Sequence, residues 1–213
     1  SRRQRQMCIR DSHYYVKRFF APVMLSCEEQ SWMTVEADMN RQHFEFEKSI
    51  RLNVTNETLD AHRVLVKWAV RKTDATILRE EEQWLEVPAL SAVWMDKVEL
   101  PQIDCFNEYV SYEAWENDQI ISQGTVIFSY PKYFHYLNPG LAVRVDGDEI
   151  VVKAEAYAKS VEIRNENDDL ILEDNYFDMN AGEYRVKILD GKPDGLKVRS
   201  VYDLSLIHIS EPT

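Results

Sequence analysis

The sequence predicts an all-β chain of two consecutive antiparallel sandwiches behind a short N-terminal helical remnant. Three observations predict it. Apolar and polar residues alternate over successive stretches. Ile50, Leu52 and Val54 alternate with Arg51, Asn53 and Thr55, and Val64, Val66, Trp68 and Val70 with Arg63, Lys67 and Arg71. A period of two puts one strand face in a core and the other in water. Turn signals recur between such runs, among them Asp146-Gly147-Asp148, Asp190-Gly191 and Asp194-Gly195. No strand–helix alternation of the kind that builds a parallel barrel is visible.

In chain order, residues 13–20 (HYYVKRFF) read as the last turns of a helix. Tyr14, Lys17 and Arg18 have helical spacing, and Pro22 stops it. An extended run starts near Pro22, and the two alternating strands follow. Trp84, Leu85 and Val87 mark a further short strand, and residues 93–98 one more. Leu100-Pro101-Gln102 is the expected boundary between the sandwiches. Beyond it, strands are expected at 109–115, 124–130 and 141–145, then a hairpin turn through Gly147. Ile150, Val152, Ala154, Ala156 and Ala158 share one face of a long strand. Val161 and Ile163 continue it after a bulge or bend near Ser160. EDNYFDMNAGE (173–183) reads as an acidic loop end, a short aromatic strand, a turn and the start of another strand. There Tyr184, Val186 and Ile188 alternate with Arg185 and Lys187, and residues 196–202 close the set. The expected organisation is an arm (1–12), a helix end and linker (13–21), sandwiches at 22–100 and 101–204, and a tail (205–213).

The 213 residues are 45% hydrophobic and include eleven tyrosines, eight phenylalanines and five tryptophans, enough bulky material for two cores. No run of about 18 apolar residues occurs, so no transmembrane helix is expected. SRRQRQMCIRDS (1–12) and SLIHISEPT (205–213) do not fit the flanking pattern. Both resemble translated sequencing-adapter read-through and are expected to be non-native; a natural basic arm and tail are the alternative. They hold four of the 25 basic and two of the 37 acidic residues, so removing them takes the net charge from −12 to −14. That sign repels phosphate backbones and anionic lipid, so neither nucleic acid nor membrane is an expected partner. Cys8 lies in the arm. Cys27 and Cys105 fall in different expected domains, which makes no disulfide framework and suits a reducing compartment.

AYAKSVEIRN (156–165) and EDNYFDMNAGE resemble the C-terminal immunoglobulin-like domain of β-mannosidases of glycoside hydrolase family 2. HYYVKRFFAPVML, RLNVTNET, VPALS, YVSYE, PKYF and LKVRSVYDL extend the resemblance over nearly all of residues 13–204. It implies two immunoglobulin-like sandwiches that follow a catalytic barrel, with residues 13–21 ending the barrel's last helix. It also implies a parent enzyme that removes terminal non-reducing β-D-mannose with retention, to which this chain adds non-catalytic accessory domains. The expected partners are then the catalytic barrel of the same parent chain and, through it, a mannose-containing oligosaccharide, in the bacterial cytoplasm. One alternative is a related family 2 exo-glycosidase such as an exo-β-glucosaminidase. The other is a free-standing carbohydrate- or protein-binding module, which predicts an aromatic row on one exposed face.

The sequence assigns no catalytic, cofactor-binding or metal residue. Retaining glycosidases hold two carboxylates about 5–5.5 Å apart. In the family resembled, both are glutamates at barrel-strand ends, and without a barrel none carries over. Glu28-Glu29, Glu80-Glu81-Glu82 and Glu173-Asp174 read as solvated runs in loops. Asn165, Asn167, Asp168, Asp169, Glu173 and Asp174 offer oxygen ligands for calcium but miss the EF-hand pattern, and an acidic hairpin loop is the simpler account. His43, His62 and His135 are far apart, and no Cys-x-x-Cys supports zinc. No nucleophile elbow and no glycine-rich phosphate loop occurs. His135 reads as strand-end packing. Asn53-Val54-Thr55 and Asn56-Glu57-Thr58 are glycosylation sequons, but a strand end with a tight turn is preferred. Trp68 reads as core. Trp32, Trp94 and Trp115 are ambiguous, with Trp115 half-exposed in line with Tyr109, Ser111 and Glu113; packing is expected, and a sugar-stacking platform is the alternative. Tyr14, Phe19 and Phe20 are expected to form an apolar surface for the barrel.

Overall fold

The computed structural model describes residues 12–34 and 46–204. The expected arm and tail lie outside these residues, Ser12 excepted. The chain is the expected all-β protein and divides into two compact units. The first comprises residues 18–72 and 76–135, the second residues 12–17, 73–75 and 136–204.

The first unit is a sandwich of two antiparallel sheets. Its strands are β1 (Val23–Gln30), β2 (Ser49–Asn56), β3 (His62–Lys72), β4 (Ile77–Val87), β5 (Ser91–Trp94), β6 (Val98–Glu99), β7 (Glu108–Glu116) and β8 (Gln119–Ile127). One sheet runs β1-β2-β5 with β6 also on β2; the other runs β4-β3-β7-β8. The β-branched alternation of β3 sets the core. Val64, Val66, Trp68 and Val70 all face inward against Leu25, Ile50, Leu52 and Val54 of the facing sheet. Each such side chain contributes about 1.5–3 kcal/mol by leaving water. Leu65, Lys67, Ala69 and Arg71 take the opposite face.

The expected boundary after Leu100 falls inside this sandwich. Strands β7 and β8 complete the sheet that β3 and β4 begin. Leu100 and Ile103 are buried in the same core, and the turn between them is tied back to residue 48. The Leu100 N–H donates to the Lys48 carbonyl (2.7 Å), and Lys48 Nζ donates to the Ile103 carbonyl (2.8 Å). A proline turn between two buried anchors looks the same in sequence as a linker. The units divide between residues 135 and 136 instead. Strand β8 also starts earlier than expected. Asn117 and Asp118, both at positive φ (50° and 61°), make the two-residue hairpin turn that joins β7 to β8.

The second unit contains β9 (Ala142–Asp146), β10 (Glu149–Ala154), β11 (Ala158–Arg164), β12 (Ile171–Leu172), β13 (Phe177–Met179), β14 (Gly182–Asp190) and β15 (Lys197–Arg199). They form the sheets β12-β14-β10-β9 and β13-β11-β15. The expected hairpin is present: Asp146 pairs with Glu149 across Gly147, whose φ is +66°. The long strand expected through Ala158 is two strands. β10 ends at Ala154, and β11 pairs in the other sheet, so the chain changes sheets while its apolar alternation continues. The bulge expected near Ser160 is there, with a register shift between Ala158 and Val161 and φ of +50° at Ser160. Phe177 and Tyr184, from the stretch read as an aromatic strand and its successor, stack with ring centroids 4.0 Å apart. The closing segment is β15 followed by a helical turn at 201–204 rather than one strand.

Residues 12–19 are helical, as expected. Tyr14 is buried, which corrects its placement on an exposed surface. Its hydroxyl accepts from the Leu172 N–H (3.3 Å), and Lys17 Nζ donates to the Glu173 carbonyl (2.7 Å). Phe19 and Phe20 are exposed.

Asn56 locks the turn after β2. It is only 1% exposed. Its Nδ2 donates to the carbonyls of Asp60 (2.8 Å), Pro88 (2.9 Å) and Val87 (3.3 Å), and its Oδ1 accepts from the Thr58 N–H (2.9 Å). Asn56→Ala leaves several buried backbone groups unpaired. It is expected to cost about 2 kcal/mol and to lower the thermal midpoint of the first unit by roughly 10 °C, read by differential scanning calorimetry.

Candidate functional site

Two charged groups of the second unit, around Glu162 and Lys159, are committed to structure. Glu162 on β11 is buried beside Arg199, its cross-strand partner on β15. Its Oε1 accepts from the Tyr176 hydroxyl (2.7 Å) and from Arg164 Nε, and its Oε2 accepts from Arg199 Nε. Burial alone pushes the Glu162 carboxyl up, but the bonds from Tyr176, Arg199 and Arg164 outweigh it and hold the carboxyl below its usual range. A glycosidase acid needs the opposite shift. Lys159 and Asp178 form a second such pair (3.0 Å), in which Asp178 also accepts the Ser160 N–H (2.8 Å). Burial pushes the Lys159 ammonium down, and Asp178 more than compensates.

Of the residues weighed for calcium, Asn165 and Asp169 bond one another, and Asp174 bonds Tyr184. Asn165 Nδ2 donates to Asp169 Oδ1 (2.5 Å) and to the Lys192 carbonyl (2.9 Å), and its Oδ1 accepts the Asp169 N–H (3.1 Å). Among the described residues, no group of three or more His, Cys, Asp or Glu side chains is placed to hold a metal ion. Of the histidines, His43 lies outside the described residues. His135 stacks on Phe106 and bonds Asn107 Oδ1 (3.0 Å), which is packing. His62 bridges Glu116 Oε1 (2.8 Å) and Thr58 Oγ1 (2.9 Å). That order of hydroxyl, imidazole and carboxylate matches an acyl-transfer triad. However, the Thr58 hydroxyl is also held by Asn56 Oδ1 (2.8 Å), so the group belongs to the turn lock. Asn53 and Asn56 of the two sequons are both buried, and the Asn56 amide is fully used, which supports the turn reading.

The carboxylate runs expected in loops are partly in strands. Glu28 and Glu29 lie in β1, and Glu80, Glu81 and Glu82 lie in β4. Acidic runs read as loops because strands seldom carry them, but β4 is a sheet edge with cations beside it. Lys67 pairs with Glu82 (3.5 Å) and Arg79 with Glu81 (2.6 Å). An open depression of ≈ 470 Å³ on this sheet is lined by Lys67, Arg71, Glu80, Glu82, Ser111 and Glu113. Glu80 and Glu82 are exposed to water.

Tryptophan placement follows the face of each strand. Trp68 is core, as read. Trp32 stacks on Tyr133 (5.3 Å between centroids, 18° between planes). Trp94 is exposed with Arg51 over its ring at 4.8 Å. Trp115 is half-buried, as read, and donates from Nε1 to Glu113 Oε2 (2.9 Å). Trp84, which the sequence pattern gave no surface role, is exposed with Arg63 over its ring at 4.6 Å.

Because Glu162 sits below the usual carboxylate value in the folded chain, its stabilisation is fully present above the unfolded value of about 4.3 and is lost as pH falls through the folded value. Glu162→Gln is expected to lower stability at pH 7 by about 1–3 kcal/mol, since both arginine partners keep some access to water. It is also expected to flatten the loss of stability below about pH 4, measured by urea unfolding between neutral and acid pH.

Residues 48–133 match the family model of the mannosidase Ig/CBM-like domain, and residues 136–204 match that of the mannosidase Ig-fold domain. The two matches meet where the structure divides. No curated protein matches the chain. Among solved structures, the β-D-mannosidase of Dictyoglomus thermophilum aligns with 89% of this chain at a TM-score of 0.66 and 19% identity, over 23% of its own length. The exo-chitosanase of Amycolatopsis orientalis aligns with 89% at a TM-score of 0.51 and 12% identity, over 26% of its length. A second structure of that same protein, there described as an exo-β-D-glucosaminidase with an inhibitor, gives 89%, 0.50 and 11%, over 26%. The chain therefore spans about a quarter of the length of these solved structures. At these identities the likeness establishes the fold, and the two family models establish the kind of domain. With both domains in tandem, the chain belongs to the immunoglobulin-like accessory domains of family 2 glycosidases.

Proposed function

We propose that this chain supplies the two C-terminal, non-catalytic immunoglobulin-like domains of a retaining exo-β-mannosidase, which releases terminal non-reducing β-D-mannose. The observation that carries the reading is the tandem order of a mannosidase Ig/CBM-like domain and an Ig-fold domain in one chain. The higher TM-score against a β-D-mannosidase (0.66) than against the exo-chitosanase (0.51) supports it. The chemistry then belongs to a catalytic barrel in the same parent chain, and the substrate is a mannose-containing oligosaccharide held there. The role of this chain is to pack against that barrel, and the exposed Phe19 and Phe20 at the end of the helix offer apolar contact area for it. A bacterial cytoplasmic location fits the free thiols of Cys27 and Cys105; burial, with Glu29 and Glu28 nearby, pushes the Cys27 thiol up to about 12. The second reading, accessory domains of an exo-β-glucosaminidase, rests on one protein, the Amycolatopsis orientalis enzyme, whose two structures match at TM-scores of 0.51 and 0.50.

The test is to sequence the source DNA outward from the codon of Ser12 and to express the complete enzyme. The expected result is one frame running from a β/α barrel with two strand-end glutamates into residue 13. The complete enzyme should hydrolyse p-nitrophenyl β-D-mannoside, and the isolated chain should not. A complete enzyme that prefers the β-D-glucosaminide would move the assignment to the second reading. A frame with no barrel, or mannoside hydrolysis by the isolated chain, would overturn both.

A further inference from the structure

The register of the sheet β4-β3-β7-β8 places four apolar side chains in one line across all four strands on its outward face. Trp84 is opposite Leu65, Leu65 is opposite Trp115, and Trp115 is opposite Ile120. Trp84 is 55% exposed and Ile120 42%, while Leu65 and Trp115 are half-buried. The line is one residue wide. On one side it is bordered by Glu82, Lys67, Glu113 and Gln123, and on the other by Arg63 and Glu86. The indoles stand two interstrand spacings apart, about 9–10 Å. Neighbours fix both rings. Arg63 lies over Trp84 at 4.6 Å, Lys67 lies over Trp115 at 5.4 Å, and Glu113 accepts the Trp115 N–H. Rings held this way lose little freedom when a ligand arrives. The depression beside the line shares Lys67, Glu82 and Glu113 with it.

We propose that this stripe binds an extended, neutral, β-1,4-linked hexose chain. A pyranose ring has an apolar C–H face that stacks on an indole and a rim of hydroxyls that needs donors and acceptors at its edges. The stripe offers that combination: a straight apolar line with carboxylates and cations on both sides and an amide on one. A β-1,4-linked chain is a flat, straight ribbon, and two of its rings reach from one indole to the other. The bordering charges are mixed, so the surface has no preference for a polyanion. A protein partner fits less well. Stable protein interfaces bury about 800 Å² per side around an apolar centre several residues wide, and this stripe is bounded by charge after a single residue. The binding surface is independent of which glycosidase the parent proves to be.

The experiment is a titration of the full 213-residue chain with mannohexaose, cellohexaose and maltohexaose, followed by tryptophan fluorescence and amide chemical shifts. Saturable binding at or below about 1 mM is expected for at least one β-1,4-linked chain, and at least tenfold weaker binding for the coiled maltohexaose. Trp84→Ala and Trp115→Ala should each weaken binding at least tenfold, whereas Trp94→Ala, an exposed tryptophan on the other sheet, should leave it unchanged. Trp84 and Arg63 are exposed, so Trp84→Ala and Arg63→Ala test the stripe without removing core. No saturation with either β-1,4-linked chain, equal affinity for maltohexaose, or undiminished binding by Trp84→Ala would overturn the proposal. The identity of the upstream barrel is read from DNA and hydrolysis, so failure here leaves that result untouched.

Discussion

The one-sided burial of β3 is the constraint on which the first unit depends. Strand β3 is the inner strand paired to both β4 and β7, and its alternate residues Val64, Val66, Trp68 and Val70 fill the space between the sheets. A strand reverses its face at every residue. Fixing those four inward therefore fixes Arg63, Leu65, Lys67, Ala69 and Arg71 outward. Pairing registers pass this choice to β4, β7 and β8, so the outward line of Trp84, Leu65, Trp115 and Ile120 follows from how the core is filled.

Buried polar groups do a different job. Asn56 in the first unit and Glu162 in the second are both nearly inaccessible, and both have their oxygens and hydrogens matched by neighbours. Neither adds much net stability while intact, because each gave up water to make these bonds. Their value is in specifying one arrangement. Asn56 brings the turn after β2 against the end of β4, and Glu162 fixes β15 and the segment around Tyr176 on β11. The same satisfied bonding accounts for the lack of a catalytic setting at these groups, since a working acid or base needs a proton it can exchange.

Much of the fold was legible in the sequence because period-two alternation and glycine turns act locally. The strands around Ile50–Val54 and Val64–Val70, the hairpin at Gly147 and the bulge at Ser160 were all readable. Three features were not. Leu100-Pro101-Gln102 looks like a linker because burial of Leu100 and Ile103 is a tertiary fact. The change of sheet between Ala154 and Ala158 is hidden because alternation continues through the corner. The stripe was half legible: Trp115 read as half-exposed, but Leu65, Trp84 and Ile120 join it only through register between strands distant in sequence. The family resemblance covered both units, and it was silent on this face, which depends on individual side chains.

The most direct test of the account compares two adjacent substitutions on β3. Val66→Ala removes part of the inward face and Lys67→Ala part of the outward face. The account predicts a loss of about 2 kcal/mol for Val66→Ala and a change within about 0.5 kcal/mol for Lys67→Ala, measured by chemical unfolding of the two variants side by side. Equal losses, or a larger loss at Lys67, would contradict the one-sided burial from which the core and the exposed stripe both follow.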